Sequence, residues 1–172
     1  MLVPLRSALG GTLRWQQRAW FRDVHELLAG SDVVARLTRR GVFDRGMLAE
    51  TAEDRWSLQP VGFWRSRIVI RHGDSDSDEA VLAGRFLGGG LIQLRDGRTF
   101  DWRRESFWGT RWTMRDAAGG TVYTLTQPFF ALHDRGEVRV DPGAGRDPAL
   151  MPLLLLGWYT AVLQRRRSRR HS

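Results

Sequence analysis

The chain has no cysteine and no lysine among its 172 residues. Without cysteine there are no disulfides, no thiol nucleophile and no cysteine-ligated zinc or iron–sulfur centre. Without lysine, Schiff-base catalysis and the phosphate-gripping lysine of a P-loop are excluded. Histidine is scarce, and His25, His72, His133 and His171 show no His-Glu-x-x-His spacing for a metal. No Gly-x-Ser-x-Gly elbow is present for a serine hydrolase. No acid, base and nucleophile converge in the sequence, so a non-enzymatic protein without a cofactor is expected.

One long uncharged stretch near the C-terminus is also apolar. Between Pro148 and Gln164 there is no ionisable acid or guanidinium, and Leu150–Leu163 is apolar all round. On a helix, Leu150, Leu153, Leu154, Trp158, Ala161 and Val162 share one face, while Leu155, Leu156, Tyr159 and Leu163 cover the other. Such a helix has to be enclosed by protein or by lipid. Ala149–Leu163 would rise only about 22 Å at 1.5 Å per residue, short of a hydrocarbon core of ~30 Å. The N-terminus shows no basic segment followed by a long apolar one, so no signal peptide is expected. A tail anchor would push the arginines after Gln164 across the membrane, against the positive-inside tendency. The reading is a helix over about 148–164 buried inside its own domain. Asp147 caps it and Pro148 takes its first position.

The rest of the chain reads as short strands divided by glycine- and aspartate-rich turns. Val24–Ala29 and Val33–Thr38 flank Gly30-Ser-Asp32, and Met47–Ala52 and Arg55–Gln59 flank Glu53-Asp54. Further strands are expected over Trp64–Arg71, Ala80–Phe86, Leu91–Arg95, Thr99–Trp102, Arg111–Arg115, Thr121–Thr126, Phe129–Leu132 and Glu137–Val140. Gly88-Gly-Gly90, Asp96-Gly97 and Ala118-Gly-Gly120 are hairpin signals because such positions often need positive φ. Thr12–Phe21 is ambiguous, since Leu13, Gln17 and Trp20 could line a helix. The fold class expected is mainly β: a closed antiparallel barrel of about 11–12 strands wrapped around the hydrophobic C-terminal helix, as one domain over 1–163. A large barrel needs its interior filled, and the apolar helix supplies the filling.

Two stretches look functional at first sight. Asp74, Asp76 and Asp78 match positions 1, 3 and 5 of an EF-hand loop. Glu79 stands where the glycine is needed and Arg85 where the bidentate glutamate should be, so a solvated hairpin tip is expected in place of a metal site. Trp102, Trp108 and Trp112 interleave with Arg103, Arg104 and Arg111. Alternation on strands turns the rings inward and the guanidinium groups outward.

All 27 basic residues are arginine, and the net charge is +8. Arg6, Arg14, Arg18 and Arg22 place four positive charges in residues 1–22, and the tail after Gln164 holds five more. Setting those nine aside leaves residues 23–164 at −1. Arg165, Arg166, Arg167, Arg169 and Arg170 are therefore the candidate lipid-binding residues, in a basic tail over 165–172 expected to be disordered. Their partner is expected to be anionic membrane lipid, contacted from the cytoplasmic side as a peripheral protein at the inner membrane surface. The alternative is a nucleic-acid-binding module using the same arginines on phosphates, without base readout.

Over residues 24–163 the chain resembles the tubby C-terminal-like superfamily, which includes phospholipid scramblases and LURP-one-related proteins. The resemblance lies in Glu26-Leu-Leu-Ala-Gly-Ser-Asp-Val-Val-Ala-Arg-Leu37, the repeated strand–turn pattern and the terminal Pro152-Leu-Leu-Leu-Leu-Gly-Trp-Tyr159. It implies a twelve-stranded barrel around a central hydrophobic helix, and a lipid- or membrane-related role more than a catalytic one. Tubby-type phosphoinositide sites use basic side chains that include lysine. With no lysine here, that site is not carried over to any residue of this chain.

Overall fold

Apolar and polar side chains alternate along most of the chain, and the alternation decides which of them face inward. The computed structural model describes residues 1–19, 22–41, 46–62, 67–84, 88–105, 111–129 and 133–170. After a short helix α1 (Leu5–Ala8) come β1 (Leu13–Ala19), β2 (Arg22–Ala29), β3 (Asp32–Arg39), β4 (Met47–Thr51), β5 (Arg55–Val61) and β6 (Arg67–His72). They are followed by β7 (Asp78–Gly84), β8 (Gly90–Leu94), β9 (Thr99–Arg104), β10 (Arg111–Asp116), β11 (Thr121–Thr126) and β12 (Arg135–Val140). A single 3-10 turn (Pro142–Ala144) leads to the long helix α2 (Leu150–Arg170). Each strand pairs antiparallel with its sequence neighbours, and β1 closes on β12 with Leu13 opposite Val138. The barrel is closed, so no sheet edge is left open.

In β8, Gly90, Ile92 and Leu94 are buried while Leu91 and Gln93 face out; β4 and β12 alternate in the same way. Trp102 and Trp112 point inward and stack at 5.3 Å, with Arg103 and Arg111 exposed, as the alternation required. Trp108 lies outside the described residues. The helical reading of Thr12–Phe21 is corrected: Leu13–Ala19 is a strand. Leu13 and Trp15 are buried on one face with Arg14 exposed between them, which is a period of two and not of 3.6. The expected strand over Phe129–Leu132 is not seen at Phe129, which sits in a bend; 130–132 are outside the described residues.

Every residue of α2 from Pro152 to Val162 is buried, so no face of the helix meets water along that length. Its contacts go right round the wall. Trp158 stacks on Trp15 of β1 at 5.3 Å, and the Tyr123 hydroxyl of β11 donates to the Leu153 carbonyl at 2.8 Å. A Cβ on Gly157 would lie 2.1 Å from the Tyr123 hydroxyl and 3.2 Å from the Trp102 ring of β9. Glycine at 157 is thus what lets the wall approach the helix. At the start of α2, Asp147 accepts the Ala149 amide at 2.9 Å and the Arg98 guanidinium at 3.1 Å. Burial tends to raise the Asp147 carboxyl, but the Arg98 hydrogen bond, the largest influence, brings it below its ordinary value.

Because successive strands are antiparallel, alternate connections lie at opposite ends of the barrel. The turns at 30–31, 52–54, 73–77, 95–98 and 117–120 share one end, here called the base, with the start of α2. The opposite end, the mouth, is where α2 emerges.

Candidate functional site at the barrel mouth

The helix does not stop near residue 164. It continues through Arg165–Arg170, within the stretch that the sequence reading set apart as a tail; residues 171 and 172 lie outside the described residues. Arginine is a good helix former, and positive charge is favourable in the last turn of a helix, where carbonyl dipoles are unmatched. Two of the arginines are also held by the wall. Arg166 Nη1 donates to Asp23 Oδ2 at 2.9 Å, and Nη2 donates to Oδ1 of the same carboxylate, a fork on a planar acceptor. Asp23 is the second residue of β2, 143 residues earlier. Arg165 Nε lies 3.8 Å from Asp134 Oδ1, and both groups are largely buried.

Asp23 has a second partner. His25 Nε2 lies 3.0 Å from Asp23 Oδ1. Burial would raise the Asp23 carboxyl, but hydrogen bonds from His25 and Arg166 and the charge of Arg166 outweigh it. The carboxyl is held well below the ordinary carboxylate range. The same hydrogen bond raises the Arg166 guanidinium. At Arg165 burial works the other way and lowers the guanidinium, against the pull of Asp134.

A histidine beside an aspartate suggests acid–base chemistry, and the geometry argues against it here. The ionised Asp23 accepts a hydrogen bond from His25 Nε2–H, leaving Nδ1 as the remaining nitrogen for chemistry. Among the described residues that nitrogen is buried without a hydrogen-bond partner, on a ring that has no exposed surface and packs edge-on against Trp158 at 5.7 Å. The pair serves to position Asp23, and Asp23 positions Arg166.

The five arginines named from sequence therefore divide. Arg165 and Arg166 are packed into the mouth against Asp134 and Asp23. Arg167 and Arg169 are exposed on the following turn, and Arg170 is the last helical residue. The anchoring residues Asp23, His25 and Asp134 were not singled out from sequence as a site. Nothing local marks them as a site, because the arginine partners of Asp23 and Asp134 are distant in the chain. Asp74 and Asp76 are exposed in the β6–β7 turn, and Asp78 at the start of β7 accepts Arg71 Nε at 2.8 Å. Among the described residues no group of three or more His, Asp or Glu side chains is placed to hold a metal ion. Among them, too, no helix is long and apolar enough to cross a membrane.

No family model, no curated protein and no solved structure matches this chain.

Proposed function

We propose that the chain is a non-enzymatic, membrane-peripheral binding domain of tubby-like type whose basic helix end contacts anionic phospholipid. One observation carries the reading. Arg165 and Arg166 pair with carboxylates of the mouth, and Arg167 and Arg169 are exposed on the helical turn that follows, ahead of Arg170 at the helix end. Each basic residue close to an anionic surface contributes on the order of 1 kcal/mol, and the contribution falls within a Debye length. Three of them give loose, salt-sensitive attachment. The architecture on which the tubby-like resemblance rests, a closed barrel around an apolar helix, supports the same class of role by analogy only.

Nucleic acid is the competing partner for the same arginines. Single-strand binders add aromatic platforms on which bases stack. Here Trp102 and Trp112 face the interior and offer no such surface. The test is co-sedimentation of the intact protein with neutral and with phosphatidylserine-containing vesicles over a salt series, with duplex DNA as competitor. Binding to anionic vesicles alone, released by salt and little affected by DNA, is expected. Failure to pellet with either vesicle overturns the proposal, and displacement by small amounts of DNA transfers the site to nucleic acid.

A further inference from the structure

The two ends of the barrel differ in charge and in exposed apolar surface. Turns and strand ends at the base carry Asp32, Asp54, Asp74, Asp76, Asp116 and Asp141 along with arginines, of which Arg71 and Arg98 bind carboxylates there. At the mouth, the carboxylates described near strand ends are Asp23, Glu105 and Asp134. Each already faces arginine: Arg166 for Asp23, Arg111 for Glu105 at 3.2 Å, and Arg165 for Asp134. Arg67 at the start of β6, Arg104 at the end of β9 and Arg135 at the start of β12 add positive charge to the same end, along with Arg167 and Arg169. The mouth thus has a surplus of guanidinium, while the base carries the greater share of the acids.

Large apolar side chains exposed among the described residues are Met1, Leu48, Leu91 and Phe129. The last three all belong to the mouth. Leu48 is the second residue of β4, Leu91 the second of β8, and Phe129 follows the end of β11. They are 43 %, 46 % and 53 % exposed. Exposed apolar residues scattered singly would need no explanation. These three lie on or beside strands well separated in the barrel order, and so are spread round the mouth end and are not a patch on one side.

We infer that the mouth docks end-on against an anionic lipid bilayer, with the rim arginines at the phosphate level and Leu48, Leu91 and Phe129 entering the acyl boundary. The lipid identity of the partner rests on the reading proposed above; the orientation does not follow from it and is new. A flat anionic surface with an apolar layer beneath it satisfies both features of the rim at once. A nucleic-acid backbone matches only the charge, and a small protein epitope would meet one side of the rim and leave the others in water. Interfacial side chains of this kind, set among basic residues, are held by burial and charge together.

The absence of native cysteine makes the test direct, since each substituted cysteine is the single thiol. An environment-sensitive fluorophore is attached to Leu91→Cys and Phe129→Cys at the mouth, and to Ser31→Cys and Ser75→Cys at the base. Circular dichroism confirms that each variant is folded. The probe proteins are titrated with phosphatidylserine-containing vesicles, with and without brominated acyl chains. The expected result is a blue shift and bromine quenching at both mouth positions, and no change at either base position. Vesicle binding with base probes responding, or with no probe responding, overturns the end-on orientation and leaves the lipid reading standing. No binding by the intact protein in the same assay removes both.

Discussion

Asp23 is gripped from two sides, by His25 in its own strand and by Arg166 from the end of the helix. Replacing it with asparagine removes the acceptor charge from both. Asp23→Asn is expected to lower unfolding free energy by about 1–3 kcal/mol, the range for leaving buried polar partners unmatched, read by urea denaturation at neutral pH. The pH dependence carries a sign. A carboxyl whose folded value is depressed stabilises the fold fully above its unfolded value, near 4, and that contribution fades as pH falls toward the folded value. The native protein is therefore expected to lose stability below about pH 4 more steeply than Asp23→Asn. Parallel acid limbs for the two proteins would show that the clamp contributes nothing.

Gly157 is the second residue with a specific task. A methyl group there would meet the fully buried Tyr123 hydroxyl at 2.1 Å, and the barrel wall has little room to retreat. Gly157→Ala is expected to destabilise by about 1–3 kcal/mol through overpacking, despite the better helix propensity of alanine. Adding Tyr123→Phe removes the nearest clashing atom, so the double variant is expected to recover part of the loss in thermal melts. Additive losses in the double-mutant cycle would refute the contact.

At the level of elements, α2 is two structures in one: an enclosed apolar rod and a charged projection. Because Arg166 is tied to the wall and residues 167–169 are exposed, a chain ending after Arg166 is expected to keep the native melting temperature. A chain ending after Gln164 is expected to lose the Asp23 and Asp134 partners and melt lower. Equal melting of the two truncations would mean that the mouth ion pairs do not matter.

The rod was legible in the sequence because no residue from Leu150 to Leu163 supplies a polar face. The hairpins were legible because turn chemistry is local, as at Gly30-Ser31 between β2 and β3, where Gly30 has φ of 60°. β1 was not, since Gln16 and Gln17 blur the alternation that Leu13, Arg14 and Trp15 begin. The helical continuation past Gln164 was not legible for a different reason. A run of arginine looks solvated until its acceptors are known, and Asp23 and Asp134 come to it only through barrel closure.

On the scale of the whole molecule, closure of the barrel gives the protein two unlike ends. Hairpin connectivity alone sorts the acidic turns to the base, while the helix carries its terminal arginines through the interior to the mouth. A net charge of +8 thus becomes an oriented one, and orientation is what a surface can recognise. The most direct measurement is the partition coefficient onto phosphatidylserine-containing vesicles, at low and at physiological salt, for the intact protein and for Arg167→Gln/Arg169→Gln/Arg170→Gln. With Arg165 and Arg166 left in place, the triple variant is expected to melt like the native protein and to bind roughly a hundred-fold more weakly at low salt, from about 1 kcal/mol per arginine. Unchanged partitioning of a folded triple variant would contradict the account.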